Sequence, residues 1–312
     1  MEDKRILVTG VTGATGRHLV RTLRQEGRGN LMGVSRRPYS DLPLDQYFQV
    51  DLTDEQRLGQ IVSLLDPDEV YHLAGVNGQS APGEALRING TAFENLTASL
   101  RGQATRRGRP IRLLTIGSAA EIGPRGAACS PVPESVECEP ATEYGVSKWR
   151  ITRQAVKEPI DGPLQILVAR PFNLLGPGLD AKLAIGRFAE QIAEVRRGSR
   201  SDIRCGSLHA KRDYLDFRDA VDAYAALMKH GRPGQIYNVC RGESFGMREI
   251  LDRLMTLAGV RVPVHADEGP LKPGDIPDIF GDPGKLSSAT GWRPRWSLEQ
   301  SLKDMLAMED AP

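Results

Sequence analysis

One short stretch near the amino terminus limits the possible folds more than any other: Arg5-Ile6-Leu7-Val8-Thr9-Gly10-Val11-Thr12-Gly13-Ala14-Thr15-Gly16. Ile6, Leu7 and Val8 form an apolar run without alternation, which suits a parallel strand buried on both faces. The run breaks at Gly10, and between His18 and Leu23 the apolar spacing turns helical. A strand that passes into a helix through glycines brings bare backbone close to an anion, because no Cβ intervenes and the first helical N–H groups point at it. Strand, turn and helix in this order predict a doubly wound α/β fold whose first crossover holds the pyrophosphate of a dinucleotide. Gly10, Thr12, Gly13, Ala14, Thr15 and Gly16 are the residues expected to line it. The spacing Gly10-x-x-Gly13-x-x-Gly16 differs by one residue from the commonest fingerprint, so the order of elements carries the expectation rather than the glycines alone.

The rest of the first half alternates strand and helix. Strands are expected at Leu31-Met32-Gly33-Val34, Phe48-Gln49-Val50-Asp51-Leu52, Val70-Tyr71-His72-Leu73-Ala74-Gly75, Ile111-Arg112-Leu113-Leu114-Thr115-Ile116 and Ile166-Leu167-Val168-Ala169, with helices through 61–65 and 84–101. The second strand ends in Ser35-Arg36-Arg37. An acidic residue about 20 residues past the glycines binds the ribose of NAD, whereas arginine there accommodates the 2′-phosphate of NADP. A hydroxyl and two guanidiniums therefore favour NADP(H), with NAD(H) as the other possibility. Asp51, with Leu52 after it, could accept from the adenine amino group. Leu73, Ala74 and Gly75 close the fourth strand with small residues that let the chain pass under a cofactor. His72, inside an apolar run, reads as a packed core histidine.

Ser118 follows the fifth strand, at the edge where open α/β sheets place their ligands. Beyond it stands Glu143-Tyr144-Gly145-Val146-Ser147-Lys148-Trp149, in which Tyr144 and Lys148 share one helix face. An ammonium and a bound cationic nicotinamide favour the phenolate, so the Tyr144 pKa is expected to fall from about 10 toward working pH. Tyr144 is then a general acid and base for a carbonyl/alcohol pair, and Ser118 supplies a second hydrogen bond.

Composition removes other classes. Among 312 residues, 40% are hydrophobic and 26% charged, and no apolar stretch is long enough for a membrane span. The start Met1-Glu2-Asp3-Lys4 has no signal-peptide core, which makes a cytoplasmic protein the default expectation. Cys129, Cys138, Cys205 and Cys240 show no metal spacing and are expected to be reduced; only the first two are near enough in sequence to suggest a redox pair. A formal net charge of +1 gives no reason to invoke nucleic acid. The basic cluster Arg101, Arg106, Arg107 and Arg109 reads as a solvated helix end.

Taken together, these motifs resemble the extended short-chain dehydrogenase/reductase family of nucleotide-sugar epimerases, dehydratases and reductases. The resemblance spans Gly10 to Gly16, His72-Leu73-Ala74, Ile88-Asn89-Gly90-Thr91, the stretch from Gly117-Ser118 to Gly123, Tyr144/Lys148, Arg170-Pro171-Phe172-Asn173, Arg212-Asp213-Tyr214-Leu215-Asp216 and Gly291-Trp292-Arg293-Pro294. It implies a Rossmann-type parallel sheet with a smaller C-terminal substrate-binding lobe. Residues 1–175 would form the dinucleotide domain, with 213–240 returning to it through the strand Ile236-Tyr237-Asn238-Val239-Cys240. Residues 176–212 and 241–312 would form the lobe. By the same resemblance Ser118, Tyr144 and Lys148 form the catalytic triad, Lys148 also holds the nicotinamide ribose, and Pro171 adjoins the cofactor. Asn173 and Arg212 contact the substrate's diphosphate or sugar.

Residues 182–197 read as a helix whose Lys182 and Arg187 are candidates for the substrate phosphates. Asp216, Asp219 and Asp222 read as caps and decoration of the following helix. Pro263, Pro270, Pro273, Pro277 and Pro283 suggest a loop folded over the ligand. Dehydratases of the family place carboxylates directly after the catalytic hydroxyl, where this chain has Ala119 and Ala120; Glu121 comes later. Within the family the second half is most similar to the reductases of GDP-4-keto-6-deoxy-D-mannose. The segment Val76-Asn77-Gly78-Gln79-Ser80-Ala81-Pro82-Gly83-Glu84 is shorter than the substrate loop such reductases would imply. The expected reaction is NADPH-dependent reduction at C4 of a nucleotide-linked 4-keto-6-deoxyhexose. An NAD-dependent 4-epimerase and a non-catalytic dinucleotide sensor are the alternatives. Family resemblance also implies a homodimer through the helices bearing Leu86, Phe93 and Leu96 and bearing Val146, Ile151 and Val156, a spacing that equally fits packing on the sheet.

Overall fold

The computed structural model describes residues 4–38, 41–76, 81–267, 269 and 275–309. Short β-branched and aliphatic runs form the centre of the molecule: β1 (Arg5–Thr9), β2 (Asn30–Ser35), β3 (Gln46–Gln49), β4 (Glu69–His72), β5 (Ile111–Ile116) and β6 (Leu164–Pro171). They pair in parallel with β11 (Ile236–Val239) in the order β11-β6-β5-β4-β1-β2-β3. Successive side chains alternate between two cores, which explains the absence of polar alternation in the sequence. Ile6 and Val8 face one core with Leu19, Val20 and Leu23 of α1 (Ala14–Gln25) and Val221, Tyr224 and Leu227 of α7 (Phe217–His230). Leu7 faces the other, with α2 (Glu55–Leu65), α3 (Glu84–Arg107) and α5 (Glu143–Ala155). This is the doubly wound Rossmann-type architecture read from the sequence.

The strands are placed as expected, with shifted ends. β3 stops at Gln49 and β4 at His72, so Asp51-Leu52 and Leu73-Ala74-Gly75 are loops at the carboxyl edge of the sheet. α3 runs on to Arg107, and the basic cluster at its end is not simply solvated. Arg107 Nη1 stands 3.2 Å from both Asp66 and Asp68 carboxylates, and Arg109 pairs with Asp68 at 2.7 Å.

A third core lies beyond the sheet. β7 (Asn173–Leu175) leads to α6 (Ala184–Arg196), whose Ile185, Phe188 and Ile192 pack on α8 (Met247–Ala258) and α10 (Leu298–Glu309). Between them run β8 (Ile203–Cys205), β9 (Lys211–Arg212), β10 (Tyr214–Asp216), β12 (Phe245–Gly246), β13 (Val264–Ala266) and β14 (Asp278–Ile279) in three small sheets. A short α4 (Gly123–Ala127) and α9 (Gly284–Thr290) complete the helices named here. Leu286 and Trp292 join the α1/α7 core, so residues 241–312 serve two cores and not the lobe alone. Of the predicted covering loop, Pro270 and Pro273 lie outside the described residues, as do residues 77–80 of the glycine-rich segment.

Candidate active site

Gly10 adopts φ +73°, and a Cβ there would stand 2.7 Å from the Ala74 nitrogen. A Cβ on Gly16 would lie 2.3 Å from the Gly10 carbonyl, so the third glycine lets α1 sit against the first strand's exit. Gly13 differs: the nearest heavy atom to a Cβ there is 3.4 Å away, and the residue is the N-cap of α1 without a side-chain cap. Its missing side chain leaves room in the cleft, and the first helical amides face an open space suited to an anion. That cleft, about 750 Å³, is lined by Gly10, Thr12 to Thr15, Ser35 to Arg37, Asp51, Leu52 and Leu73 to Gly75. Gly16 is absent from the lining because it is packed beneath.

The residues fit a dinucleotide. Thr12 Oγ1 lies 2.7 Å from Ser35 Oγ at the tip of β2, and Arg36 and Arg37 are exposed beside them. No carboxylate occupies that strand tip. Asp51 accepts from Thr53 N at 2.9 Å and from Thr53 Oγ1 at 2.8 Å. Burial pushes its pKa up, but those hydrogen bonds and the Arg36 and Arg87 charges hold it below the ordinary value. His72 is buried, 2.9 Å from Thr9 Oγ1, with a pKa lowered to about 3 by burial and by the Lys148 charge. It is neutral and part of the core, as its apolar neighbours suggested.

At the carboxyl ends of β5 and β6 the three hydroxyl and amine groups of the sequence constellation meet. Ser118 caps the 3₁₀ turn Ala119–Glu121, its Oγ accepting from Ala120 N at 3.2 Å. The Ser118 hydroxyl is close enough to Tyr144 to favour its phenolate. Thr142 caps α5 by accepting from Gly145 N at 3.0 Å, which sets Tyr144 in the first turn and Lys148 one turn on. Lys148 Nζ donates to the Ile116 carbonyl at 3.0 Å and stands 5.9 Å from the Tyr144 ring centroid. A methyl on Gly75 would be 3.7 Å from that Nζ, which places the ammonium beside the glycine-lined loop.

The protein's own groups do not by themselves give the shift expected of Tyr144 beside a bound nicotinamide. The Tyr144 pKa is raised, first by burial and also by the Glu121 charge, against a lowering by the Ser118 hydrogen bond. Lys148 is not what moves it here; desolvation outweighs the attraction expected from sequence spacing. Lys148 itself is lowered to about 8 by burial, although Glu121 opposes the shift.

Glu121 packs structurally, as its place in the sequence suggested, whereas the sequence assigned Asp213 no role. Glu121 is fully buried; it accepts from Ser118 N at 2.8 Å and Thr152 Oγ1 at 2.9 Å, and pairs with Arg170 Nε at 3.2 Å. Arg170 Nη2 also donates to Cys138 Sγ at 3.5 Å, while Nη1 has no hydrogen-bond partner among the described residues. The pair joins the serine turn, α5 and β6, so Glu121 points away from the cleft. Asp213 accepts from Arg241 N at 2.8 Å, Gly242 N at 2.9 Å and Gly281 N at 3.4 Å, with its pKa raised to about 6 by burial. It fixes two loops, at 241–242 and at 281, next to Arg212. A lone acid inside Lys211-Arg212-Asp213-Tyr214-Leu215 was the available signal.

The predicted substrate residues are spread out. Asn173 donates through Nδ2 to the Asp213 carbonyl at 3.2 Å. Half-buried Arg212 donates to the Lys211 carbonyl at 2.7 Å, and burial lowers its pKa against the pull of Tyr214, Asp275 and Asp278. Lys182 and Arg187 are exposed around the start of α6, with no contact joining them to the triad. Pro171 is buried at the end of β6. Asp216 caps α7 as expected, accepting from Arg218 N at 2.8 Å, whereas Asp219 accepts from Arg295 N and Trp296 N at 2.9 and 3.0 Å. All four cysteines are free.

The doubly wound parallel sheet and the glycine-turn cleft at its carboxyl edge are those of a nicotinamide-dinucleotide-dependent enzyme of the extended short-chain dehydrogenase/reductase type. The pattern of the NAD dependent epimerase/dehydratase family matches residues 6–240, and the chain belongs to that family. It is 31% identical over 309 residues to GDP-6-deoxy-D-mannose reductase of Pseudomonas aeruginosa, covering 97% of this chain and 96% of that one. The structure of RMD from Pseudomonas aeruginosa complexed with NADPH is 30% identical with TM-score 0.84, over 98% and 99% of the two chains. UDP-glucose 4-epimerase of Thermus thermophilus, in complex with NAD, is 23% identical with TM-score 0.83 over 98% of each chain, a likeness of fold.

Proposed function

We propose that the protein reduces the C4 keto group of a nucleotide-linked 4-keto-6-deoxyhexose, GDP-4-keto-6-deoxy-D-mannose to GDP-D-rhamnose, with NADPH. The observation that carries this reading is Tyr144 one helical turn before buried Lys148 on α5, whose ammonium lies beside Gly75 of a cleft that also takes in Ser35, Arg36 and Arg37. The reductase of Pseudomonas aeruginosa supports the substrate and the cofactor.

When bound, the reduced nicotinamide supplies a hydride to C4. Gly10, Thr12, Gly13, Ala14 and Thr15 would hold the pyrophosphate, Ser35, Arg36 and Arg37 the 2′-phosphate, and Lys148 the nicotinamide ribose. Ser118 donates to the carbonyl oxygen and draws charge onto it. Tyr144 gives its Oη proton to the developing alkoxide, and the Lys148 ammonium stabilises the phenolate left behind. The raised Tyr144 pKa keeps the phenol protonated at neutral pH, the form a proton donor needs. Ala119 and Ala120 leave no acid/base pair after Ser118, and Glu121 is committed to Arg170; a dehydratase is therefore disfavoured. Asn173 and Arg212 would meet the diphosphate, with Lys182 and Arg187 as further cations.

The reading extends to a homodimer. A groove between α3 and α5 is lined by Leu86, Thr91, Arg150 and Arg153, whereas Phe93, Leu96 and Ile151 are buried in the core beneath and cannot contribute. The setting proposed is the reducing cytoplasm, which free cysteines suit. No helix among the described residues is long and apolar enough to cross a membrane.

The test is NADPH consumption against a panel of nucleotide-linked 4-keto-6-deoxy sugars. Stoichiometric oxidation with the GDP-linked sugar is expected. An inverted sugar without net oxidation, and with NAD retained through purification, would replace the reductase by a 4-epimerase.

A further inference from the structure

Arg17 follows Gly16 in the first turn of α1. A helix residue at this position is free to extend outward, yet Arg17 folds back over the glycine turn, donating through Nε to the Thr12 carbonyl at 3.2 Å. That contact holds the guanidinium beside Thr12. The Thr12 hydroxyl is in turn 2.7 Å from Ser35 Oγ, which also accepts from Arg37 N at 3.3 Å. The backbone of the two strand-tip arginines is anchored from β3, where Gln49 Nε2 donates to the Arg36 carbonyl at 3.0 Å and Tyr47 donates to that of Arg37. The guanidiniums of Arg17, Arg36 and Arg37 and the hydroxyls of Thr12 and Ser35 thus line the cleft, together with Arg21 one turn further along α1. Asp51, which also lines it, feels the Arg36 charge and already accepts twice from Thr53.

Such a corner suits a dianionic phosphate monoester better than a pyrophosphate, which the amides of α1 serve on the other side of the turn. With Nε used by Thr12, the two Nη groups of Arg17 remain as a fork for phosphate oxygens, an arrangement lysine cannot copy. We propose that Arg17 is the third guanidinium of the 2′-phosphate pocket and a determinant of preference for NADP(H) over NAD(H). The proposal rests on the NADPH reading of the cofactor given above.

The test is equilibrium binding rather than turnover. Dissociation constants for NADPH and NADH are measured by nicotinamide fluorescence on the full chain, with adenosine 2′,5′-bisphosphate and 5′-AMP as competitors, for wild type, Arg17→Gln, Arg17→Lys and Arg36→Asp. Arg17→Gln should weaken NADPH and the bisphosphate about 10- to 100-fold, with NADH and 5′-AMP essentially unchanged. Arg17→Lys should fall between, and it carries the same comparison if Arg17→Gln fails to fold. Equal losses for NADPH and NADH would assign Arg17 to the pyrophosphate or the turn and overturn the proposal, as would no loss for either. If Arg36→Asp abolishes the preference while both Arg17 variants keep it, the NADPH reading stands and the role of Arg17 falls. A wild type that binds NADH as tightly as NADPH would refute both.

Discussion

Replacing Lys148 by methionine should abolish turnover and yet make the protein more stable. Lys148 is 8% exposed, and burial lowers its pKa from 10.5 to about 8. Holding it ionised at pH 7 therefore costs roughly 3 kcal/mol. Methionine fills similar volume without the charge, but forfeits the donation to the Ile116 carbonyl, worth about 1 kcal/mol. The net gain is about 2 kcal/mol, or a rise in Tm of roughly 3 °C for a chain of this size. The sign of its pH dependence is specific. A buried lysine with a lowered pKa binds fewer protons folded than unfolded between pH 8 and 10.5, so the wild type recovers stability as pH rises through that window. Scanning fluorimetry of wild type and Lys148→Met from pH 6 to pH 10 should show a gap that is widest below pH 8 and narrows above it. A variant no more stable than wild type at pH 7, or a gap that does not change with pH, would refute the reasoning.

Tyr144→Phe should lower kcat about 10²- to 10⁴-fold while leaving the NADPH dissociation constant close to wild type; retained turnover removes Tyr144 from the proton-transfer role. Loss of the Lys148 ammonium predicts that kcat declines above about pH 8, and a pH–rate profile flat to pH 10 would contradict it. Arg36→Asp should turn the preference from NADPH toward NADH, read as a ratio of kcat/KM values, and an unchanged ratio would make Arg36 a surface residue. Gly16→Ala puts a methyl 2.3 Å from the Gly10 carbonyl. It should lower stability by about 1–3 kcal/mol and weaken both cofactors together, a loss that calorimetric titration and a melting curve would register side by side.

The sequence announced the central sheet because its strands are buried on both faces, and unbroken apolar runs such as Ile6-Leu7-Val8 have few other uses. Strand ends were harder to read. Apolar continuity carries on through Leu73-Ala74 and Val50, but their backbone leaves the ladder to form the cleft wall. Residue spacing put Tyr144 and Lys148 on one helix face, which the structure shows, yet it could not weigh burial against charge, so the upward pull of burial on Tyr144 was not legible. What holds Glu121 and Asp213 was not legible for a related reason. Their partners, Arg170 and the amides of residues 241, 242 and 281, are distant along the chain, and a one-dimensional pattern does not pair them.

The way the chain shuttles between the cores limits how the cleft can open. Leu175 belongs to the lobe core, Leu215 to the sheet, Met247 to the lobe, Leu286 and Trp292 to the sheet again, and Leu298 to the lobe. A lobe attached by one linker swings freely, whereas one stitched by several passes can open only if all of them twist together. Asp219 adds a clasp by accepting from the backbone of Arg295 and Trp296. Opening the cleft therefore has to strain several connections at once rather than one.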